Sequence, residues 1–400
     1  MNEISIVLQE LIAQKEAQIH DWFVHKYKYI ERCFYSSVDI RDSGYKIVPV
    51  DTNLFPAGLN NLTPANIIVA RQNVKSFFMR YYPQCNKILI IPENHTRNRF
   101  YLSNIITLKN ILEQAGYVVE IAIITTEEKI LSEITTNTPE LNASQVIKIA
   151  NKIITTNGFI PDIILLNTDL TSGVPQELLN IEQPIIPHVN YGWHLRTKSQ
   201  HFKNYDLVLA EFCQQFGLDP TLLSALHRNC GKINFKEQTG IKCLAKAVDE
   251  MILRLQNEYD KYGITDKPYV YIKAERGTYG MGIMTATCGE EIDNINKKTR
   301  NKMDVIKEGV VSSEVIIQEG IKTINTFNGF AAEALSYLVD GEPIGYFFRF
   351  NSLRDSRNNL NSLGSEITSN LEMMNDNYNK IPIYNLIAKL ATLAAAREKT

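Results

Sequence analysis

The sequence has no CxxC pair and no other metal-ligand framework around its six cysteines, Cys33, Cys85, Cys213, Cys230, Cys243 and Cys288. That argues against a zinc module or a disulfide scaffold and leaves thiols that are reduced and mainly structural. No run approaches the roughly 18 to 20 apolar residues that a membrane span requires. The opening stretch, MNEISIVLQELIAQKEAQIHDWF, carries Glu3, Glu10, Lys15 and Glu16 in a helical pattern and has no basic segment leading into an apolar core. It reads as a helix and not as a signal peptide, so a cytoplasmic location is expected. Excess charge is also missing: the formal net charge is -2, and nothing points to nucleic acid or an anionic membrane. Internal repeats and low-complexity segments are absent as well. With 44% apolar and 22% charged residues over 400 positions, the chain has the composition of a soluble enzyme with more than one core, suited to small polar ligands. The sequence carries no reading of oligomeric state.

Residues 4 to 30 place apolar side chains at helical spacing. NKILIIP reads as a strand ending near Pro92 and running into a polar loop, YLSNIITLKNILEQAG as a helix closed by Gly116, and YVVEIAII as a second strand. This is the unit of a parallel α/β layer, and PDIILLNTDLTSG adds a third strand of the same kind. Ligands of such sheets sit beyond the carboxyl ends of the strands, which makes these polar loops the binding surface of the first half. DEMILRLQNEYDKYG forms a long helix ended by Gly263, and a domain boundary is expected there, giving residues 1–262 and 263–400. Beyond it the pattern changes to strands and hairpins (YVYIKA, MGIMTA, SEVIIQEG, GFAAEALSYLVDG, EPIGYFFRFN) and a last helix, IPIYNLIAKLATLAAARE.

Within YVYIKAERGTYGMGIMTA, Gly277, Gly280 and Gly282 follow Lys273. The loop is not GxxxxGK[ST], and it lacks the order of GxGxxG, which also disfavours a dinucleotide oxidoreductase. It reads instead as a hairpin whose tip lets backbone N–H groups approach phosphate and whose rising strand presents a lysine. Alone, it is equally an ordinary Gly-rich hairpin. Downstream residues shift the balance. Gln318 and Glu319 end an apolar strand and could meet adenine and ribose, while Glu333 lies inside FAAEALSYL, where a carboxylate is costly unless it is paired or holds a cation. Arg349, Arg354, Arg357, Asn359 and Asn361 follow. Glu333 with Asn359 or Asn361 as oxygen ligands, beside arginines, a lysine and a glycine loop, forms the inventory of an Mg-nucleotide site for phosphoryl transfer.

The order of these parts resembles the ATP-grasp arrangement. More narrowly, VDTNLFPAGLNNL, IPENHTRNRFYLSNI, NTDLTSGVP, GWHLRTKSQHF, CGKINF, KAERGTYGMGIM and RNKM are similar to the proteobacterial-type glutamate-cysteine ligases, over roughly residues 10 to 400. The resemblance implies an N-terminal parallel α/β domain followed by an ATP-grasp-like α+β domain. It implies ligation of glutamate to cysteine with ATP and Mg2+, through a γ-glutamyl phosphate. Lys273 with Gly277, Thr278, Tyr279, Gly280 and Gly282 would hold phosphates, and Gln318 and Glu319 the nucleoside. Glu333, Asn359 and Asn361 would hold Mg2+, and Arg349 would stabilise the charge between carboxylate and phosphate. Amino-acid recognition would fall to Arg97, Asn53, Asn60, Asn94 and Asn98, although asparagines in such loops equally form turns. Glu275 and Arg276 stand where a smaller, less charged pair is expected, and Asn358 stands where a glutamate is. The ATP half alone leaves open another acid and amine, or a nucleotide-binding homologue without turnover.

Overall fold

The structure, a computed structural model, describes residues 4–94, 98–125, 141–276, 282–304, 314–370 and 380–399. Its first part runs α1 (Ile4–Lys26), β1 (Tyr35–Asp42), β2 (Ile47–Asn53), α2 (Pro64–Tyr81), β3 (Lys87–Pro92), α3 (Arg99–Gln114), β4 (Val118–Ile123), β5 (Ser144–Ile149), β6 (Lys152–Thr155), β7 (Ile163–Asn167), β8 (Ile185–Ile186), α4 (Lys198–Phe216), β9 (His227–Lys232) and α5 (Ile241–Tyr262). The second comprises β10 (Val270–Ala274), β11 (Ile283–Ala286), α6 (Gly289–Asp293), α7 (Lys297–Asp304), β12 (Glu314–Glu319), β13 (Thr326–Phe327), β14 (Phe330–Val339), β15 (Glu342–Asn351), β16 (Ser365–Thr368) and α8 (Ile381–Ala396).

Among the described residues the strands form three sheets. One runs β6-β5-β4-β3-β7-β8, with β3, β4, β7 and β8 parallel. Its central strands, KILIIP and IILLN, are buried almost throughout, as expected where both faces of a parallel sheet are covered. The α/β unit expected around Asn86–Gly116 is thus present. A second, antiparallel sheet has the order β11-β10-β12-β9. The third, β16-β15-β14-β1-β2, takes strands from both sides of residue 263, because β1 pairs antiparallel with β14 across some 300 positions of sequence.

One face of this third sheet, through Val38, Ile40, Ala332, Ala334 and Phe348, shares a core with α8, which is buried along nearly its whole length. A helix this apolar belongs inside a core, and Leu386, Ile387, Leu390 and Leu393 all join the largest shared core, with Asn385 and Lys389 bonded to Ser336 and Glu342. The other face packs Leu335, Tyr337 and Phe347 against α2 and α3. Toward its far end that face turns charged. Among the described residues no helix is long and apolar enough to cross a membrane.

Candidate active site

Side chains two apart on a strand share a face, so Asp39 and Arg41 of β1 project with Glu333 of β14 and Arg349 of β15 from one surface. Register puts Glu333 directly opposite Arg349, and Asp39 opposite Asp51 of β2. Glu333 is the centre: Oε1 accepts from Arg349 Nη1 at 2.7 Å and Oε2 from Arg41 Nε at 2.8 Å. Arg349 Nη1 also donates to Asp39 Oδ2 at 2.5 Å. Arg41 spends its other donors on the Tyr271 hydroxyl and on the carbonyls of Ile321, Ser356 and Asn358, at 2.7 to 3.2 Å. Burial pushes the Glu333 carboxyl up, but the two guanidinium charges outweigh it and hold it below its ordinary range.

The second sheet closes over this surface. Lys273 and Tyr271 share a face of β10, and Lys273 Nζ donates to Gln318 Oε1 on β12 at 2.7 Å and to the Val50 carbonyl of β2 at 3.1 Å. Lys273 is buried, and desolvation lowers its pKa to about 8; the charges of Lys198 and Arg41 lower it further, while Asp51 and Glu333 oppose the shift. Gln318 is fully buried, and its Nε2 has no hydrogen-bond partner among the described residues. An orphaned donor of this kind costs about 1–3 kcal/mol unless something takes the bond.

Lys198, the first residue of α4, joins the cluster from the N-terminal half. Burial lowers its pKa, opposed by Asp51, Glu275 and Asp169, with Arg196 lowering it further. Its Nζ stands 4.2 Å from the Trp193 ring centroid, which makes Trp193 a packing surface for the lysine. Asp169 lies in the loop after β7, and its carbonyl accepts from the Trp193 N–H at 2.9 Å, so a carboxyl-end loop of the parallel sheet reaches the residues around Lys198. Arg196 is held by Glu398 through two bonds, at 2.7 and 3.0 Å, and by the Thr52 carbonyl at 2.5 Å.

Beside Tyr271 opens a polar cleft of about 580 Å³, walled by β11, by Asn296 and Thr299 around the start of α7, and by Arg354, Asn358, Asn359 and Asn361. Its size is in the range of small-molecule sites.

The structure brings Lys273, Gln318, Glu333 and Arg349 into one buried group and puts Asn359 and Asn361 on the wall of the adjacent cleft. It does not assemble the expected metal ligand set. Both oxygens of Glu333 are taken by arginines, and Arg41 stands between Glu333 and the Asn358 backbone. Asn359 Oδ1 accepts from the Asn361 N–H at 3.0 Å, and among the described residues no group of three His, Cys, Asp or Glu could hold a metal. These residues, as arranged, do not fit a protein-held Mg2+. The Glu319 carboxylate, expected at the ribose, is bonded to Lys46 at 2.8 Å, to the Leu226 N–H at 3.0 Å and to the Tyr259 hydroxyl at 3.1 Å.

Asn53 accepts from the Phe55 N–H and Asn98 from the Tyr101 N–H, a turn and a helix cap, so their side chains serve the backbone. Asn94 donates to the Ile124 carbonyl at 3.2 Å, and Asn60 lies in a short 3-10 helix. Gly282 has φ +61°, a left-handed conformation that glycine adopts without strain, and its carbonyl accepts from the Ala274 N–H to close the root of the glycine hairpin. Gly277, Thr278, Tyr279, Gly280 and Arg97 lie outside the described residues. Asp39, Arg41, Asp51, Arg196 and Lys198 were not singled out from sequence. The alternation of VDIRD was a usable signal for the first two, and GWHLRTKSQHF contained the last two.

The profile of the glutamate-cysteine ligase family matches residues 9–399. A crystal structure assigned as a γ-glutamylcysteine synthetase, from Methylobacillus flagellatus KT, is 34% identical, with a TM-score of 0.86 and coverage of 100% of this chain and 96% of that one. A glutathione synthetase-like effector from Globodera pallida is 8% identical with a TM-score of 0.41, over 87% and 82% of the two chains. The D-alanyl-alanine synthetase A of Vibrio cholerae is 11% identical with a TM-score of 0.34, over 79% and 81%. At those scores the last two bear no weight. Comparison with curated proteins finds no match.

Proposed function

The chain belongs to the glutamate-cysteine ligase family, and from that premise we propose that the buried cluster around Lys273, Lys198, Arg349 and Glu333 is where it joins L-glutamate to L-cysteine. The reaction consumes ATP and yields γ-glutamylcysteine, ADP and phosphate. A γ-carboxylate oxygen of glutamate attacks the γ-phosphorus of ATP as the bond to ADP breaks. The cysteine amine then attacks the acyl carbon of the γ-glutamyl phosphate, phosphate leaves, and the amine gives up a proton. Neither step needs an enzyme nucleophile; both need two anions, or an anion and a neutral amine, held in line.

The first step drives a carboxylate against a polyphosphate, so its principal obstacle is repulsion. Fixed cations already inside the protein reduce that obstacle without reorganising during the reaction. Lys273 is placed to hold phosphate: among the described residues two of its three N–H donors are used, and it sits on the strand that leads into the glycine hairpin. Gln318 Nε2 is the neighbouring donor for the nucleotide, and the 580 Å³ cleft beside Tyr271 would receive the rest of it. Arg349, clamped by Asp39 and Glu333, supplies a positive charge whose position is set by two carboxylates. Glu333 orients the two arginines and is not given a metal; Mg2+ enters the proposal as the ion that accompanies ATP, with its protein ligands unassigned. Lys198 and the loop at Asp169 would face the amino-acid substrates, with Arg97, Asn60 and Asn94 as further candidates there.

Lys273 carries this reading. A lysine wholly inside the protein, on the strand entering a glycine hairpin and bonded to a buried amide with an orphaned donor, is an arrangement that a phosphate ligand completes. The test is ADP release from purified protein with MgATP, with glutamate and cysteine added singly and together, and the product identified by mass. Release that needs both and yields γ-glutamylcysteine supports the proposal. ATP binding without release for any pair would overturn it.

A further inference from the structure

We propose that Glu275 is a positioning residue of this ligase, fastening the root of the glycine hairpin to the first turn of α4 so that Lys273 and Lys198 act on one acyl phosphate. The inference rests on the ligase reading above. From the sequence, Glu275 and Arg276 were an unexplained pair of charges, and the structure uses every polar group of Glu275. Its N–H donates to the Glu314 carbonyl, and its own carbonyl accepts from the Lys198 N–H, both at 3.0 Å. Oε2 accepts from the Ser199 N–H at 2.9 Å, and Oε1 from Asn229 Nδ2 at 2.6 Å. One residue at the end of β10 thereby holds α4, β9 and the start of β12.

Helix α4 makes this link functional. Thr197 provides no side-chain cap, so the 19-residue helix receives its N-terminal carboxylate from Glu275, 76 residues away in sequence. A carboxylate there satisfies an otherwise unpaired N–H and opposes the helix dipole. The residue fixed by this cap is Lys198, and the residue two positions before Glu275 is Lys273. Each lysine is buried, and their charges oppose each other, with Glu275 and Asp51 counted among the anions that favour the Lys198 charge. Two like charges stay together in a protein interior only where anions and backbone bonds hold them. Arg276 extends the fastening by donating to the His194 carbonyl at 2.8 Å.

For the chemistry, the fastening keeps the amine donor side of the site registered on the phosphate side. When it is cut, the γ-glutamyl phosphate still forms, but its acyl carbon is attacked by water or by the substrate's own α-amine. Phosphate is expelled in every case, and only attack by cysteine gives the dipeptide.

The experiment compares wild type, E275A, E275D and E275Q for moles of ADP released per mole of γ-glutamylcysteine at saturating substrates, together with thermal midpoints. Wild type should release one ADP per dipeptide. In E275A the ratio should rise at least about threefold, since small misplacements of reacting groups are costly in rate. E275Q, which can still accept from Ser199 and pair with a rotated Asn229 amide but lacks the charge, should fall between wild type and E275A. E275D is too short to reach both partners and should be uncoupled; it decides the matter if E275A does not fold. Equal coupling in all folded variants, or a loss of rate in E275A and E275D with the ratio unchanged, would overturn the inference. A wild type that makes no γ-glutamylcysteine would instead overturn the ligase reading beneath it.

Discussion

Glu333→Ala separates an ion-pair role for this carboxylate from a metal-binding one. Glu333, Arg41 and Arg349 have side chains that are 3%, 3% and 10% exposed, so their mutual attraction is little screened. Removing the carboxylate leaves two buried guanidiniums with a missing partner, and breaking a buried pair in this way costs about 3–5 kcal/mol. For a chain of 400 residues, an unfolding entropy of about 2.1 cal/mol/K per residue gives roughly 0.84 kcal/mol/K. The midpoint of thermal unfolding should therefore fall by about 4–6 °C, in chelator and without nucleotide. Glu333→Gln keeps the shape and one acceptor and should lose about half of that. The assay is calorimetry on the ligand-free protein, followed by the Mg2+ dependence of ADP release. A midpoint unchanged within 1 °C in both variants, together with a large rise in the Mg2+ needed, would refute the argument and restore Glu333 as a metal ligand.

Lys273 must be charged to hold phosphate, and burial lowers its pKa to about 8, so kcat/KM for ATP should decline as pH rises through about 8. Lys273→Arg should move that limb upward. For stability the sign is the reverse: between about 8 and the ordinary 10.5 the unfolded chain binds the extra proton, so the penalty of burying this charge is relieved as pH rises through that window. Glu398, between Arg196 and His201, is pushed up by burial but held down to about 2 by those partners, against an ordinary 4.5. Its stabilisation, about 3 kcal/mol, is present above 4.5 and lost as pH falls through about 2. Glu398→Gln should therefore remove its own share, about 3 kcal/mol, of the stability that wild type loses over that acid range, while Glu333 and Glu211, also held below the ordinary range by their cationic partners, keep theirs. Glu319→Gln strands the buried Lys46 ammonium and should lower the midpoint by several degrees while changing the KM for ATP less than Lys273→Ala does.

Much of the architecture was legible because its elements carry strong local signals. The apolar runs of β3, β7 and β12, the nearly apolar β14 with its turn into β15, and the largely apolar α8 each carry their signal locally. The third sheet was not legible in the same way, because β1 owes its place to β14. Asp39 and Arg41 give VDIRD the look of a half-exposed strand, and only partners 292 and 310 residues away turn those charges inward. The same distance explains the metal expectation. A carboxylate inside FAAEALSYL needs a cation, but the sequence could not say that the cation is Arg41 together with Arg349. Lys273, Gln318 and Arg349 could be singled out from sequence because their strands and the glycine hairpin mark them locally. Lys198 lies within GWHLRTKSQHF but nothing in that string distinguishes it from its polar neighbours, since its helix is capped by Glu275 across the fold. Asn53 and Asn98 show the opposite hazard, polar loop residues whose hydrogen bonds close a turn and cap a helix.

The most direct test of the central claim follows an oxygen atom. With glutamate carrying 18O in its γ-carboxylate, attack on the γ-phosphorus leaves that oxygen in the phosphate when cysteine takes the acyl group. The account predicts one labelled oxygen in each phosphate released by wild type with ATP and cysteine, and a much slower release of the same labelled phosphate from Lys273→Ala. Unlabelled phosphate, or labelled phosphate released at the wild-type rate by Lys273→Ala, would contradict it.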